Sequence, residues 1–259
     1  MKKPKLSIII PVRNEGINLK IMLKILSAIV EVPNEILVVY DSLDDNSIPV
    51  VKNIQKIYTQ IKGVHNKLGR GVLNAVVAGV SQSRGDYILI TAADDIGPVM
   101  AIEDMLSLMN QGCELVSSTR YAYGGRVLGG SIIGRPLSKV TNKFFYLLGS
   151  ALTDSTIGIK MFKRDIFDKI TLEAKPIGFA FAFELAIKAQ LAGMKLGEVP
   201  IISLNRLYGR KSSFAFGPWV KEYSRWLFYG LKNYNKLMKT RNNVIVNVPL
   251  KMLKERNKT

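Results

Sequence analysis

The chain has 259 residues, is 47% hydrophobic and carries 37 Lys and Arg against 20 Asp and Glu, a formal net charge of +17. That apolar content fills a sizeable core, and no apolar run approaches the ~18 residues that read as a membrane span. A single cysteine, Cys113, excludes an internal disulfide and suits a reducing compartment, and a single histidine, His65, leaves no cluster for zinc.

In chain order, Leu6–Val12 reads as a buried strand rather than a signal peptide, because Pro11 cuts its apolar run. Leu19, Met22, Leu23, Leu26 and Ile29 follow at helical spacing, with Asn18 as a candidate cap. Glu35–Tyr40 is a second strand opening into an acidic loop, Asp41 to Ser47, and a helix is expected from Pro49 to Gln60. A short strand at Gly63–His65, a glycine-punctuated loop at 67–71 and a small-residue helix at Val72–Ser81 come next. Tyr87–Ile90 reads as a buried strand of a parallel sheet, and it runs into the turn T-A-A-D-D at 91–95. Repeated β–α alternation predicts a doubly wound, mostly parallel sheet.

Helix Ile102–Asn110 and strand Glu114–Ser118 continue the pattern, before a long glycine-rich segment through Gly134. Helix Ser138–Leu148, strand Gly158–Phe162, helix Phe179–Leu191 and strand Glu198–Ile202 complete an expected domain over residues 1–215. Residues 216–259 read as a basic amphipathic helix and tail: Trp219, Tyr223, Trp226, Leu231, Tyr234 and Leu237 share one stripe, with most of the lysines off it. From Arg206 onward there are thirteen Lys and Arg against two Glu. Nucleic acid, acidic lipid and a phosphorylated substrate all suit such a charge. We expect the stripe to pack partly on the domain, with its basic edge toward anionic lipid.

Three loops, 11–16, 41–45 and 92–95, follow strands of the same inferred sheet, and loops at one sheet edge converge on one ligand. Asn14, Glu15 and Asp41 offer acceptors and donors to a base or ribose. Asp94 and Asp95 are hard oxygen ligands that suit Mg²⁺ or Mn²⁺ on a diphosphate; the competing reading is a pair capping the next helix. Arg70, Arg120, Arg135, Lys139, Arg206 and Lys211 supply complementary cations. No P-loop and no dinucleotide fingerprint occurs. Glu184 reads either as a buried acid paired with an arginine or as a site residue, Asp154 as a turn acid or a site residue, and Asp44 and Asp45 as solvated loop charges.

The motifs P-V-R-N-E at 11–15, E-I-L-V-V-x-D at 35–41, G-x-x-x-A-x-x-A-G at 71–79 and G-D-Y-I at 85–88 come in the order seen in family 2 glycosyltransferases of the GT-A fold, which this chain resembles. Thr119-Arg120-Tyr121, Arg135-x-x-Ser138-Lys139, Asp154-Ser155-Thr156, Phe181-x-x-Glu184, Gly197-Glu198-Val199-Pro200 and Arg206 resemble the dolichol-phosphate mannose synthase branch, over roughly residues 5–230. The resemblance implies a metal-assisted, inverting hexosyltransferase that moves a sugar from a GDP-mannose or UDP-hexose type of donor to a polyprenyl or dolichyl phosphate. It implies nucleotide-sugar binding by Pro11, Asn14, Glu15, Asp41, Arg70, Arg206 and Lys211. It also implies that Arg120, Arg135, Ser138 and Lys139 grip the acceptor phosphate, and that the acidic turn holds Mg²⁺ or Mn²⁺. Ala92 stands where the family usually has its first acid, so Asp94 takes the metal-binding position and Asp95 is a second ligand or a cap.

Such an enzyme would sit peripherally on the cytoplasmic face of a membrane, by its tail or through a small membrane-protein partner. A glycan acceptor is the alternative within the same class. A non-catalytic nucleotide- or nucleic-acid-binding module is the alternative outside it, disfavoured because acidic loops repel phosphate without a cation and no nucleic-acid motif is present.

Overall fold

The alternation of β1 (Leu6–Pro11) sends Leu6, Ile8 and Ile10 to one face of a sheet and Ile9 to the other, and helices pack on both faces. In the computed structural model, which describes residues 3–129, 134–204 and 216–246, β1 is followed by α1 (Gly16–Ile29), β2 (Asn34–Tyr40), α2 (Ser47–Ile54), β3 (Ile61–His65), α3 (Val72–Gln82), β4 (Tyr87–Ile90), α4 (Ile102–Asn110) and β5 (Leu115–Thr119). Then come β6 (Arg126–Leu128), α5 (Gly134–Leu147), β7 (Lys160–Lys163), α6 (Ile166–Lys169), α7 (Ala180–Leu191), β8 (Leu196–Pro200) and β9 (Ile202–Leu204). The described chain closes with α8 (Phe216–Lys232), α9 (Tyr234–Thr240) and β10 (Val244–Val246).

The main sheet has eight strands in the order β10-β8-β5-β7-β4-β1-β2-β3, all parallel to their neighbours except β7, which runs antiparallel to both β4 and β5. A two-stranded parallel sheet, β6 with β9, lies apart. Helices α1, α2 and α4 cover the Ile8 and Ile10 face, through residues such as Met22, Val51 and Met105. Helices α3, α5, α7, α8 and α9 contribute to the core on the Ile9 face, where Val76, Phe145, Phe183, Trp226 and Leu237 are buried. The expected mostly parallel α/β sheet is present.

Three expectations shift in detail. The helix expected to Gln60 ends at Ile54, and the chain turns through 55–60, with the Ile57 and Tyr58 N–H groups both donating to the Ile54 carbonyl. The run expected as one strand, Glu198–Ile202, breaks into β8 and β9, so that the Ile202 segment leaves the main sheet to pair with β6. The C-terminal stripe is divided at Asn233 into α8 and α9, and β10 adds a strand beside β8. Residues 216–246 therefore close onto the core of the preceding residues, with Trp226 and Leu237 inside it.

Candidate active site

Parallel strands that share a direction deliver their following loops to one edge. Pairing places Pro11 beside Val39, Ile9 beside Ile90, and Thr119 beside Pro200, so the loops after β1, β2, β4, β5 and β8 open on the same side. Because β7 runs backward, its first residue, Lys160, pairs with Ile90 and Ser117, and the segment before it, 154–159, arrives at that edge too.

Two adjoining cavities occupy the edge. The smaller, about 280 Å³, is lined by Arg13, Asn14, Asp41, Ser42, Asp44, Asp45 and Arg70. The larger, about 440 Å³, shares Arg13, Asp41 and Arg70 with it and extends past Pro11, Glu15 and Asp94 to a wall formed by residues 176–179 and Trp219. Its size and its few charged groups on an otherwise apolar lining suit a small-molecule ligand.

The loop after β1 is stitched to the loop after β2. The backbone N–H of Asn14 donates to an Asp45 carboxylate oxygen at 2.9 Å, that of Glu15 to Ser47 Oγ at 3.1 Å and that of Gly16 to Asn46 Oδ1 at 2.9 Å. Asn14 adopts the left-handed conformation, φ 56°, and its Oδ1 accepts from the Asn46 N–H at 3.3 Å. Asp45 is thus a buried fastener whose other oxygen takes the Ser47 N–H at 2.8 Å, which corrects its expectation as a solvated charge. Glu15 lines the larger cavity and receives a hydrogen bond from Asn18 Nδ2 at 2.8 Å.

The two acids of the turn have separate surroundings. Asp94 lines the larger cavity beside Ala92 and Ala93. Asp95 is 7% exposed, and both of its oxygens serve β9: Ser203 Oγ donates to Oδ2 at 2.5 Å and the Leu204 N–H to Oδ1 at 2.9 Å, with the Gly97 N–H adding a longer bond at 3.3 Å. Burial pushes the Asp95 carboxyl above its usual range against the pull of those donors, and the neighbouring Asp94 charge adds to the rise. This engagement of both oxygens argues against Asp95 as a metal ligand and shows it as a latch for β9 instead. Among the described residues, no group of three His, Cys, Asp or Glu side chains forms a metal cage.

A second cluster lies at the ends of β5 and β8. Arg120 forms a two-pronged pair with Asp154, Nε to Oδ2 at 2.7 Å and a terminal nitrogen to Oδ1 at 3.0 Å; Asp154 is fully buried and the Arg120 side chain is 20% exposed. The same guanidinium reaches Ser138 Oγ at 3.3 Å and lies over the Tyr121 ring, 5.0 Å from its centroid, while the Tyr121 hydroxyl donates to Ser138 Oγ at 3.0 Å. Behind Asp154, the buried Glu198 accepts the Thr153 and Asp154 N–H groups at 2.8 and 3.1 Å, and the buried Lys160 donates to Ser117 Oγ at 2.8 Å. Arg120, Lys160, Asp154 and Glu198 form a quartet with its outer member, Arg120, at the edge. Lys139 is exposed on α5. Arg135 belongs to α5 by its backbone, its side chain lying outside the described residues, as do Arg206 and Lys211.

Glu184 is buried, and its partner is Lys188 at 2.7 Å rather than an arginine. Its two oxygens also accept the Glu173 and Ala174 N–H groups, each at 2.7 Å, so it supports the loop that walls the larger cavity. Arg13, the 176–179 wall and Trp219 were not singled out as site residues from sequence. Arg13 sits inside a motif read for its neighbours, and the wall has no charged residue to mark it.

A nucleotide-sized cleft over the carboxyl edge of a mostly parallel sheet, reached by an acidic turn after its fourth strand, defines a GT-A type transferase fold. The solved structures that the chain resembles agree: glucosyl-3-phosphoglycerate synthase from Mycobacterium tuberculosis, in complexes with Mg²⁺ and uridine diphosphate or with Mn²⁺, uridine diphosphate and glucosyl-3-phosphoglycerate, superposes with TM-scores of 0.65 and 0.64 at 15% identity, covering 88% of this chain and 80% of that one. The family model for glycosyl transferase family 2 matches residues 7–171, and the chain belongs to that family. Curated relatives include a dolichol-phosphate mannosyltransferase of Pyrococcus furiosus, 25% identical over 232 residues, and a polyprenol monophosphomannose synthase of Mycolicibacterium smegmatis, 28% identical over 209 residues. The matches cover 88% and 78% of this chain; it spans 64% of the length of the first relative and 78% of the second.

Proposed function

We propose that the protein transfers a hexosyl group from a nucleoside diphosphate sugar to a polyprenyl phosphate with inversion at the anomeric carbon. The observation that carries this reading is the juxtaposition at one sheet edge of an acid-and-arginine cleft, with Asp41, Arg70 and Asp94, and a second cluster in which Arg120, Ser138 and Tyr121 meet. The names of the curated relatives support the lipid phosphate as acceptor. Asp41 and Arg13 take the nucleoside, Arg70 the diphosphate, and Arg120 with Ser138 and Tyr121 orients the acceptor phosphate.

The acceptor oxygen is already ionised near neutral pH, so alignment and charge neutralisation matter more than a general base. In the displacement, that oxygen forms the new bond to the anomeric carbon while the bond from carbon to the donor diphosphate breaks. The diphosphate leaves with the electron pair. The donor set fits a hard divalent ion held by one protein carboxylate, Asp94, together with donor phosphates and water, as Mg²⁺ commonly is. Such an ion supplies charge neutralisation to the departing diphosphate.

We place the enzyme peripherally on the cytoplasmic face of an anionic membrane. No helix among the described residues is long and apolar enough to cross a membrane, but α8 exposes Phe228 at 61% beside Val220, Tyr229 and a basic flank including Lys221 and Lys232.

The test is incubation with a panel of nucleotide sugars, Mg²⁺ or Mn²⁺ and polyprenyl phosphate, with detection of lipid-linked sugar. Product is expected from the wild type, and Asp94→Ala is expected to lower the rate by ~10²-fold or more. No product with any donor overturns the activity, product only on a glycan moves the acceptor, and a fully active Asp94→Ala overturns the role of Asp94.

A further inference from the structure

Residues 171–179 have no regular secondary structure, so their backbone groups find no ladder to satisfy them. Side chains from two helices take over. The three successive N–H groups of Glu173, Ala174 and Lys175 donate to carboxylates: the first two to Glu184 on α7, the third to Glu222 Oε1 on α8 at 3.0 Å. Arg225, also on α8, donates to the Glu173 carbonyl at 3.1 Å. Glu222 is itself buried and is anchored by the Trp226 indole N–H at 3.1 Å.

Past this clamp the chain becomes the far wall of the larger cavity. Gly178 has φ +53°, and a Cβ there would enter the Trp219 ring, so the wall and α8 are in direct contact at a position suited to glycine. Trp219 stacks on Tyr223 with centroids 5.9 Å apart, and the Tyr223 phenol lies against the backbone of Phe179.

We propose that α8 is a working part of the donor site: Glu222 is a positioning residue that holds the 176–179 wall in place, and Trp219 closes the cleft against it. This rests on the reading of the larger cavity as the nucleotide-sugar site. The helix whose outer face is offered to the membrane thus shapes, through its inner face, the pocket for the soluble substrate. Losing the Glu222 clamp frees the Lys175 N–H and the loop that follows, which weakens donor binding. It leaves in place the Arg120 cluster, whose hydrogen bonds run to Asp154 and Ser138 even though the Tyr223 phenol of α8 lies near it.

The experiment uses the full chain with Glu222→Ala, Glu222→Gln and Trp219→Leu. Binding of uridine and guanosine diphosphates with Mn²⁺ is measured by calorimetry, and KM for the donor sugar and for polyprenyl phosphate by steady-state assay. Glu222→Ala is expected to weaken nucleotide binding and raise the donor KM by roughly tenfold, with the polyprenyl phosphate KM within about twofold of wild type. Glu222→Gln, which keeps a carbonyl oxygen for the Lys175 N–H, is expected to recover most of that loss. Trp219→Leu, at the partly exposed start of α8, is expected to weaken donor binding in the same way and decides the matter if Glu222→Ala does not fold. Wild-type binding retained in folded Glu222→Ala, or in Trp219→Leu where the former is unfolded, overturns the proposal alone. An equal rise in both KM values also overturns it, since that is what general loosening of the fold produces. A wild type that binds neither nucleotide overturns the donor-site reading beneath it.

Discussion

Within the buried quartet, Glu198 and Lys160 are displaced from their ordinary titration ranges in opposite senses. Burial pushes the Glu198 carboxyl up to about 7 against the Thr153 and Asp154 donors, and it pushes the Lys160 ammonium down to about 8 although Asp154 and Glu198 favour its charge. The signs set a pH profile. Between the ordinary carboxyl value of 4.5 and about 7, the folded protein holds a proton on Glu198 that the unfolded chain has lost, so stability from this group falls as pH rises through that window. Glu198→Gln is expected to flatten that fall in urea titrations from pH 4.5 to 7.5; an unchanged slope would count against Glu198 as its source. What sequence revealed at this scale was position more than role. Asp41, Arg70 and Asp94 could be picked out because each stands in a loop that follows a strand, whereas Asp45 could not be told from Asp44, and Asp95 kept two readings, a second ligand or a cap. Adjacent acids read alike along the chain, yet Asp94 meets the cleft while Asp95 is spent on β9.

The acidic turn is an element held from one side. Beyond the Asp95 bonds, the Gly97 backbone passes so close to the Ile202 carbonyl that a Cβ there would run into it. Asp95→Ala strands the buried Ser203 hydroxyl, at a cost of about 1–3 kcal/mol, and leaves the part-buried Leu204 N–H unpaired at a smaller one. Chemical denaturation is expected to show that loss, and a midpoint equal to wild type would exclude the latch. The βα alternation through β5 was legible because buried parallel strands and amphipathic helices differ in period and length. The direction of β7 was not, since a short buried strand has the same apolar pattern whichever way it runs. Nor was β9, because the apolar run from Glu198 to Ile202 gives no sign of the break at Ile201. The tail stripe predicted the buried Trp226 and Leu237, while the break at Asn233 lies between two stretches of the same periodicity.

The cleft inverts the overall positive charge of the molecule: Glu15, Asp41, Asp44, Asp45 and Asp94 line it against Arg13 and Arg70, and of the two turn acids only Asp94 is among them. A metal held there by Asp94 as its one turn carboxylate would draw the rest of its ligands from the donor diphosphate and water. Manganese alone is therefore expected to bind weakly, and a nucleoside diphosphate to tighten it by at least about tenfold, with the same factor appearing in nucleotide affinity when metal is added. Paramagnetic resonance titrations of Mn²⁺ with and without uridine or guanosine diphosphate measure both arms. Tight Mn²⁺ binding without nucleotide would point to ligands other than Asp94.

The reversed strand has one more implication. Parallel strands present residues to the substrate edge only as the chain leaves the sheet, but β7 presents Asp154 and its neighbours as the chain enters it. Everything between Thr119 and Lys160 is consequently an excursion that starts and finishes on one rim. Its exposed parts can change without shifting the register of any strand of the main sheet, whereas Phe145, Leu152 and Asp154 within it are fixed by burial. On the proposed reading, the charged groups of the donor cleft come from the first 95 residues, while its far wall comes from 176–179 and Trp219. Ser138 and Asp154 of the acceptor cluster belong to this excursion, so that exchanging one segment would be a route to a new acceptor.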